Sequence, residues 1–295
     1  MNRDPLAAID HPEPFPGLAP PRLVRALIGF CHHDAGGLLR KLVAPIARKL
    51  AIRGCTLPMD LSVGGMNLRC SFVDNYSEKK FVFTPWRYDL AERRLLGSEL
   101  PADGVFVDIG ANVGLYTITA GKALGRRGRI LAFEPNPRTM ARLEFNVAAN
   151  FGGAAQAPEI LLLNLGVADQ DSEFELQVDQ SNLGASSIAT RNRSRVPAGT
   201  ERQSVVIRCR PLLDVLAQHG VQRVDVLKID IEGAEDVALA PYLRGAPPAL
   251  LARNVIIENS QELWSTDLDA LFRERGYRLR FRNRMNSVYS LNSGS

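Results

Sequence analysis

Apolar positions along the chain alternate between a period of two and a period of three to four residues, which predicts alternating strands and helices. After residue 100, short apolar runs predict seven strands, at residues 105–107, 129–133, 159–163, 224–229, 254–258, 277–281 and 287–291. Helices are predicted from Leu115, over 137–150, over 234–243 and up to about residue 275. This alternation is typical of an α/β fold with a parallel sheet and right-handed crossovers. The last two strands are too close in sequence for a crossover, so we expect a hairpin that places one antiparallel strand in the sheet.

The first 84 residues follow a different pattern. Five prolines within residues 1–20 predict an extended or mobile tail. Between residues 22 and 53, leucines recur every three or four positions, which predicts two amphipathic helices broken near Gly36 and Gly37, the second kinked at Pro45. Short alternating runs predict strands at 61–63, 68–70 and 81–83, followed by a helix over 88–100. We therefore predict a flexible tail (1–20), an N-terminal helical and short-strand extension (21–84) and a main domain (85–295).

The composition is that of a soluble globular protein. The 295 residues are 45% hydrophobic and 23% charged, which excludes a disordered or collagen-like chain. The four cysteines form no C-x-x-C pair, so we interpret them as buried thiols in a reducing compartment. Neither a secretory signal nor an apolar run long enough to cross a bilayer is present, which favours a cytoplasmic location. No basic stripe interleaved with aromatic residues indicates a nucleic-acid partner.

Basic residues are concentrated near the N-terminus. Residues 22–53 hold seven arginines and lysines against the single acid Asp34, a balance of 7 − 1 = +6, whereas the whole chain has a net charge of +4. One interpretation is a peripheral contact of this segment with an anionic membrane, on the inner face where lipid-linked glycans would be modified. The alternative is a helical cap on the main domain whose polar face is solvated.

The first motif with chemical content follows the strand at 105–107. Asp108 ends this strand, Gly110 allows a sharp turn, and Gly114 allows close approach of a ligand or a helix. The third glycine of the dinucleotide pattern G-x-G-x-x-G is missing. A turn with a carboxylate and without a phosphate cradle suits a positively charged ligand.

The next strand also ends in an acid, Glu134, which is placed to bind two ribose hydroxyls. A ribose diol combined with a cationic amino-acid end describes S-adenosylmethionine, whose sulfonium and ammonium groups favour nearby carboxylates. Its adenine is expected near residues 164–169, at Gly166, Val167 and Ala168. The structural alternative is that Asp108 and Glu134 only cap the helices that follow them.

A third cluster of charges ends the strand at 224–229. Lys228 and Asp230 lie on one side of this strand, and Glu232 and Glu235 follow. The neighbouring strand delivers Glu258 to the same carboxyl-end edge, where open α/β sheets bind their ligands. Glu235 has the alternative role of a first-turn acid that interacts with the helix dipole.

Four ordered motifs resemble the FkbM family of S-adenosylmethionine-dependent methyltransferases. They are DIGANVGLYT at 108–117, AFEPNP at 132–137, KIDIEGAE at 228–235 and IIE at 256–258. The resemblance implies a Rossmann-like class I methyltransferase fold of seven strands with the last antiparallel, preceded here by the helical extension. It also implies O-methylation of a hydroxyl on a sugar, a glycan or a secondary metabolite, and a cofactor site that includes Asn112, Tyr116 and Asn136.

Methyl transfer to an alcohol requires alignment of oxygen, methyl and sulfur, and a base for the hydroxyl proton. Because none of the four histidines falls in a motif, we predict Asp230 as the base, with Glu232, Glu235 or Glu258 as substitutes. Lys228 would stabilise the developing alkoxide. We predict a metal-free site, the alternative being a divalent ion bound by these acids.

The acceptor is suggested only by weaker signals. Residues 179–203 are polar and contain four arginines, which predicts a flap over the acceptor site and an anionic acceptor, unless these arginines are simply solvated. Trp86, Tyr88 and Trp264 are candidate platforms for sugar stacking, or else core residues. The competing functions are a nicotinamide-dependent oxidoreductase, which the missing third glycine disfavours, and a non-catalytic nucleoside-binding protein.

Overall fold

The computed structural model describes residues 13–33, 37–179, 187–188 and 202–292. The strands in these ranges are β1 (Met59–Val63), β2 (Met66–Cys70), β3 (Val105–Ile109), β4 (Arg129–Phe133), β5 (Glu159–Leu163), β6 (Gly166–Val167), β7 (Ser172–Asp179), β8 (Ser187–Ile188), β9 (Arg202–Arg210), β10 (Val226–Ile229), β11 (Asn254–Glu258), β12 (Tyr277–Arg282) and β13 (Asn286–Leu291). The α-helices are α1 (Arg22–Cys31), α2 (Gly37–Gly54), α3 (Tyr76–Phe83), α4 (Leu90–Glu99), α5 (Leu115–Ala123), α6 (Pro137–Phe151), α7 (Leu212–Gln218), α8 (Glu235–Gly245) and α9 (Leu268–Glu274).

Seven strands form the main sheet in the order β12-β13-β11-β10-β3-β4-β5. The pairs between β11 and β5 are parallel, and β13 runs antiparallel to both of its neighbours. The predicted strands, their parallel arrangement and the single antiparallel strand are therefore confirmed. This is the class I methyltransferase topology that the sequence resemblance implies. Strands β3, β10 and β11 are buried almost throughout, because helices cover both faces of the sheet.

A second, four-stranded sheet has the order β6-β9-β7-β8 and lies beside the main sheet. Long antiparallel strands β7 and β9 form its centre, and β6 continues the chain directly after β5. The flap that we predict over residues 179–203 belongs between β7 and β9. Most of it, at 180–186 and 189–201, lies outside the described residues.

One predicted strand is wrong. Residues 81–83 form the last turn of α3 and not a strand, whereas the strands predicted near 61–63 and 68–70 are present as the hairpin β1–β2. Asn75 starts α3 because its side chain accepts a hydrogen bond from the backbone N–H of Glu78. Phe81, Val82 and Phe83 are all buried, so the apolar run carries no strand alternation.

Helices α1 and α2 are present as predicted, but most of their leucines are exposed. Both helices pack through smaller side chains, and the buried positions are Val24, Ile28, Cys31, Ala44, Ala47 and Ala51. Leu38 and Leu42 are 73% and 62% exposed. The helices therefore pack on the protein through small residues, and the membrane and helical-cap interpretations both stay predictions. Neither helix, nor any other in the described residues, is long and apolar enough to span a membrane.

The segment before the main sheet shares its core. Arg142 of α6 is buried with Asp74 and Glu78, at 3.1 and 2.6 Å from their carboxylates. Residues 13–20, expected to belong to a tail, lie on the hairpin, since the Leu18 backbone exchanges hydrogen bonds with Asp60. Residues 1–12 lie outside the described part of the chain. The domain boundary at residue 84 stays a prediction, and buried contacts cross it.

The C-terminal hairpin β12–β13 closes onto helix α4. Glu92 of α4 is buried, and its Oε1 accepts hydrogen bonds from the side-chain amides of Asn283 and Asn286, at 2.6 and 3.1 Å. These three residues join elements that are about 190 positions apart in the chain. The hairpin is therefore held both by the sheet and by a buried polar contact.

Candidate active site

A cleft opens at the carboxyl ends of β3, β4 and β10 and is closed on one side by the four-stranded sheet. Its space, including the open mouth, is about 1050 Å³. Ligands of open α/β sheets bind at this edge. The lining includes most of the residues predicted for the cofactor and the base, which are Asp108, Gly110, Asn112, Tyr116, Glu134, Gly166, Val167, Lys228, Asp230 and Glu232.

The turn after β3 forms the floor of the cleft. Gly110 has φ +79°, and a Cβ at this position would collide with the carbonyl oxygen of Asp230. Only glycine therefore allows the turn to pass this closely beside the end of β10. Asn112, at φ 51°, lines the cleft, whereas Gly114 lies behind it at the start of α5.

Glu134 reaches the cleft from the end of β4. Its Oε2 accepts the backbone N–H of Asn112 at 2.9 Å, and its Oε1 accepts that of Asn136 at 3.0 Å. Each carboxylate oxygen has a second lone pair for a further donor, such as a ribose hydroxyl. Asn136 itself is buried outside the cleft, where it caps α6. Both backbone groups that Glu134 accepts from lie outside α6, so these contacts do not support the alternative that Glu134 caps this helix.

Asp108 lies between the two halves of the cleft and is almost fully buried. Its Oδ2 accepts a hydrogen bond of 2.6 Å from the Thr117 hydroxyl on α5. Burial raises the pKa of Asp108 to about 6, although the nearby Lys228 ammonium favours the charged form. Tyr116 precedes Thr117 on α5, and the Tyr116 hydroxyl donates a hydrogen bond of 3.1 Å to Asp89.

Lys228 and Asp230 form an ion pair on the β10 side of the cleft, with 3.1 Å between Nζ and Oδ2. The Lys228 side chain is 2% exposed and lies over the ring of Tyr116, whereas the Asp230 side chain is 40% exposed. Desolvation is the largest single effect on both groups and opposes their charges, but the attraction between them, together with nearby charges and hydrogen bonds, outweighs it. The pKa of Asp230 is therefore lowered and that of Lys228 raised. Both members of the pair are therefore ionised at neutral pH, and Asp230 is the accessible one.

The three alternative bases have different surroundings. Burial and the charge of Asp230 hold the pKa of Glu258 well above its usual value, so Glu258 is protonated at neutral pH and hydrogen-bonds Asp230. Glu235 is buried and accepts from the Ile231 and Gly233 backbone N–H groups and from the Trp264 indole. It organises the turn and does not line the cleft. Glu232 lines the cleft in a left-handed conformation, at φ 56°.

The far wall corresponds to the expected adenine region. Leu165, Gly166 and Val167 line the cleft, and Ala168 is buried in the core of the four-stranded sheet. The Asn164 side chain donates to the carbonyl oxygens of Glu134 and Pro135, at 2.8 and 3.1 Å. This loop therefore holds β4 and β5 in register at the cleft. In the described residues, no group of three or more His, Cys, Asp and Glu side chains is arranged to hold a metal ion.

The profile of the methyltransferase FkbM domain matches residues 108–279, which is more than half of the chain and includes every motif described above. The chain belongs to this family. The nicotinamide oxidoreductase alternative is therefore set aside, and the methyl donor of this FkbM methyltransferase is S-adenosylmethionine.

Known proteins similar to this FkbM methyltransferase include a methyltransferase, sdnD, of Sordaria araneosa, 26% identical over 67% of this chain and 80% of that protein. The antimetabolite synthetase AmbE of Pseudomonas aeruginosa is 29% identical over 68% of this chain, which spans 10% of AmbE. The hexuronic acid methyltransferase AglP of Haloferax volcanii is 26% identical over 56% of this chain and 59% of AglP.

The cleft fits the methyl donor. Carboxylate oxygens of Glu134 are held by two backbone amides at a position suited to a ribose diol, and Asp108 supplies negative charge near the centre. Apolar side chains from β7 and β9, Leu176 and Ile207, line the wall beside Gly166. Such a surface accommodates an adenine ring, which is flat and poorly solvated on its faces.

Sequence reasoning missed several lining residues. Ser77 comes from α3, and Leu176 and Ile207 come from the four-stranded sheet, so no motif marks them. Asp89 is not part of the lining, but it accepts a hydrogen bond from the lining residue Tyr116, and it precedes α4 in a left-handed conformation. Of the three aromatic platforms considered, Tyr88 lines the cleft, whereas Trp86 and Trp264 are absent from the lining.

Affinity for the cofactor is expected to fall as pH falls toward 5.5. Burial raises the pKa of Glu134 to about 7 and that of Asp108 to about 6, so both carboxylates lose their charge over this range. Protonation of a group with a pKa near 7 accounts for a loss of up to about 30-fold between pH 8 and pH 5.5. Calorimetric titration with S-adenosylhomocysteine measures this. Ordinary carboxylates with pKa values near 4 would leave the affinity unchanged, and that result would contradict the prediction.

Proposed function

We propose that this FkbM methyltransferase transfers a methyl group to a hydroxyl oxygen of a sugar, a glycan or a related secondary metabolite. The observation that carries the proposal is the ionised, accessible Asp230 beside buried Lys228, across the Gly110 turn from Glu134. Sheet order sets this arrangement, because β3 lies between β4 and β10. Glu134 would hold the donor's ribose and Asp230 would lie on the acceptor side of the same cleft, since both line it.

The donor supplies an electrophilic methyl carbon bonded to a sulfonium. Asp230 accepts the hydroxyl proton of the acceptor as the oxygen attacks, and Lys228 stabilises negative charge on that oxygen. The methyl carbon would pass from sulfur to the acceptor oxygen, and the electron pair of the broken carbon–sulfur bond would stay on the donor's sulfur. Glu258 remains protonated and hydrogen-bonds Asp230, so the cluster carries one negative charge fewer than its carboxyl count suggests.

A sugar acceptor is supported by two further residues of the cleft lining. Tyr88 offers a ring and Ser77 a hydroxyl on the side of α3, and both are suited to a polyhydroxylated ring. The similar protein AglP is named a hexuronic acid methyltransferase, which favours testing acidic sugars first. A cytoplasmic location is part of this proposal, because all four cysteines are buried free thiols.

The proposal is tested by incubating the full chain with S-adenosylmethionine carrying a labelled methyl group and a panel of sugars. The panel holds neutral glycosides and the matching hexuronic acids, and mass spectrometry finds the product. We expect label on an acceptor in a bond that resists mild alkali, as an ether does. An alkali-labile methyl ester would show transfer to a carboxylate and would contradict O-methylation of a hydroxyl.

A further inference from the structure

Helices α1 and α2 present an apolar surface that the fold leaves uncovered. Six of the twelve large apolar side chains that are exposed in the described residues lie on these two helices. The exposed side chains of this surface, which we call the α1–α2 surface, are Leu23, Leu38, Leu39, Leu42, Ile46 and Leu50. Clusters of this kind mark interaction sites rather than ordinary surface.

The apolar residues of α2 form one continuous stripe. Leu38, Leu42, Ile46 and Leu50 are four positions apart, so they follow one side of the helix over about 18 Å. The buried alanines 44, 47 and 51 lie on a different side. Helix α2 therefore has two apolar sides, one against the protein and one turned away from it.

The same surface is strongly basic. Neither helix contains an acidic residue, and the exposed basic residues are Arg22, Arg25, Lys41, Arg48, Lys49 and Arg53. A second copy of the chain on this surface would bring like charges together, which disfavours self-association. The charge instead matches a surface that is both apolar and anionic.

We propose that the α1–α2 surface docks onto the headgroup boundary of an anionic lipid bilayer. The leucines enter the acyl boundary, and the arginines and lysines extend their charged ends to lipid phosphates. Both helices pack against α3, whose Ser77 lines the cleft, so docking brings the cleft close to the membrane. This inference does not depend on the identity of the methyl acceptor.

Co-sedimentation of the full chain with vesicles tests the proposal. Vesicles of phosphatidylcholine, with and without about one third phosphatidylglycerol, are compared at about 50 mM and about 500 mM salt. We expect binding to the anionic vesicles at low salt and release at high salt. No binding to anionic vesicles at low salt would overturn the proposal, whatever the enzymatic activity, because neither methyl donor nor acceptor is present.

Two variants with matched controls identify the surface. The triple change Leu38→Asn, Leu42→Asn and Ile46→Asn is expected to weaken binding more than about tenfold, because each of the three native side chains buries apolar area in the boundary. The control is Val206→Asn with Leu279→Asn, two exposed apolar residues on other elements. The targeted residues are exposed, so both variants are expected to stay folded at the assay temperature, which thermal unfolding checks. Equal binding by the triple variant and the wild type would overturn the assignment.

The charge contribution is tested separately. Replacing Lys41 and Lys49 by Gln is expected to weaken binding about fivefold for each charge removed. The control replaces Arg126 and Arg127 by Gln, since both lie in the loop between α5 and β4 and belong to neither α1 nor α2. Sedimentation equilibrium without vesicles measures whether the chain is a monomer or a dimer. A dimer that the leucine variant abolishes, together with no vesicle binding, would assign the surface to a second copy of the chain and overturn the membrane proposal.

Discussion

Asp230→Asn is expected to lower turnover by about 10²–10⁴-fold, which is the usual contribution of a positioned general base. Asparagine keeps the shape of the side chain and cannot accept the proton. The affinity for S-adenosylmethionine should stay within about twofold, because Glu134 and Asp108 remain. Single-turnover kinetics give the rate of methyl transfer, and calorimetry gives the affinity. Full activity of the variant would show that Asp230 is not the base.

Glu258→Gln is the matched control. Glu258 is already protonated at neutral pH, so glutamine reproduces its charge and its ability to donate to Asp230. We expect this variant to keep turnover within about tenfold of the wild type, well above the Asp230 variant. The opposite ranking of the two variants would assign the base to Glu258.

Loss of the Glu134 carboxylate should have the largest effect on cofactor affinity. Two charge-assisted hydrogen bonds to a ribose diol are worth about 1.5–3 kcal/mol each, so Glu134→Ala should raise the dissociation constant about 10²–10⁴-fold. Glu134→Gln keeps an acceptor oxygen for one backbone amide and should lose about 10–100-fold. Calorimetric titration of each variant with S-adenosylhomocysteine measures these losses.

The control for the Glu134 variants is Glu159→Ala. Glu159 starts β5, its side chain is 56% exposed, and it pairs with Arg129 at the amino end of the sheet, away from the cleft. We expect the affinity of this control for S-adenosylhomocysteine to equal that of the wild type. If Glu134→Ala bound the ligand as tightly as this control, the Glu134 carboxylate would not contact the cofactor.

The central part of the site was predictable because local patterns determine it. Asp108, Glu134 and Asp230 each follow an apolar run at the end of a parallel strand, and parallel strands bring their carboxyl ends to one edge. The strand register agrees with this placement, since Lys228 of β10 lies opposite Asp108 of β3. The order of strands and helices along the chain therefore predicts both the parallel sheet and the position of these acids at its carboxyl edge.

Other features depended on contacts that the sequence does not display. The helical spacing of apolar residues in α2 is compatible with burial of either of its two apolar sides. The side with alanines 44, 47 and 51 is buried, because small side chains allow close packing against the neighbouring helices. Glu235 was predicted as a substitute base, but the Trp264 indole and two backbone amides occupy its carboxylate. The wall formed by β7 and β9 has no motif, because its apolar residues are ordinary strand residues.

The contact between Glu92 and the C-terminal hairpin has a consequence for the order in which the chain folds. Until residues 277–291 are synthesised, β11 has no partner on its outer side, and the Glu92 carboxylate lacks both asparagine amides. An open sheet edge and an unsatisfied carboxylate are both unfavourable in a compact state. This edge of the sheet is therefore completed only after the C-terminal hairpin has been made, and a released chain truncated before β12 would expose an edge open to intermolecular pairing.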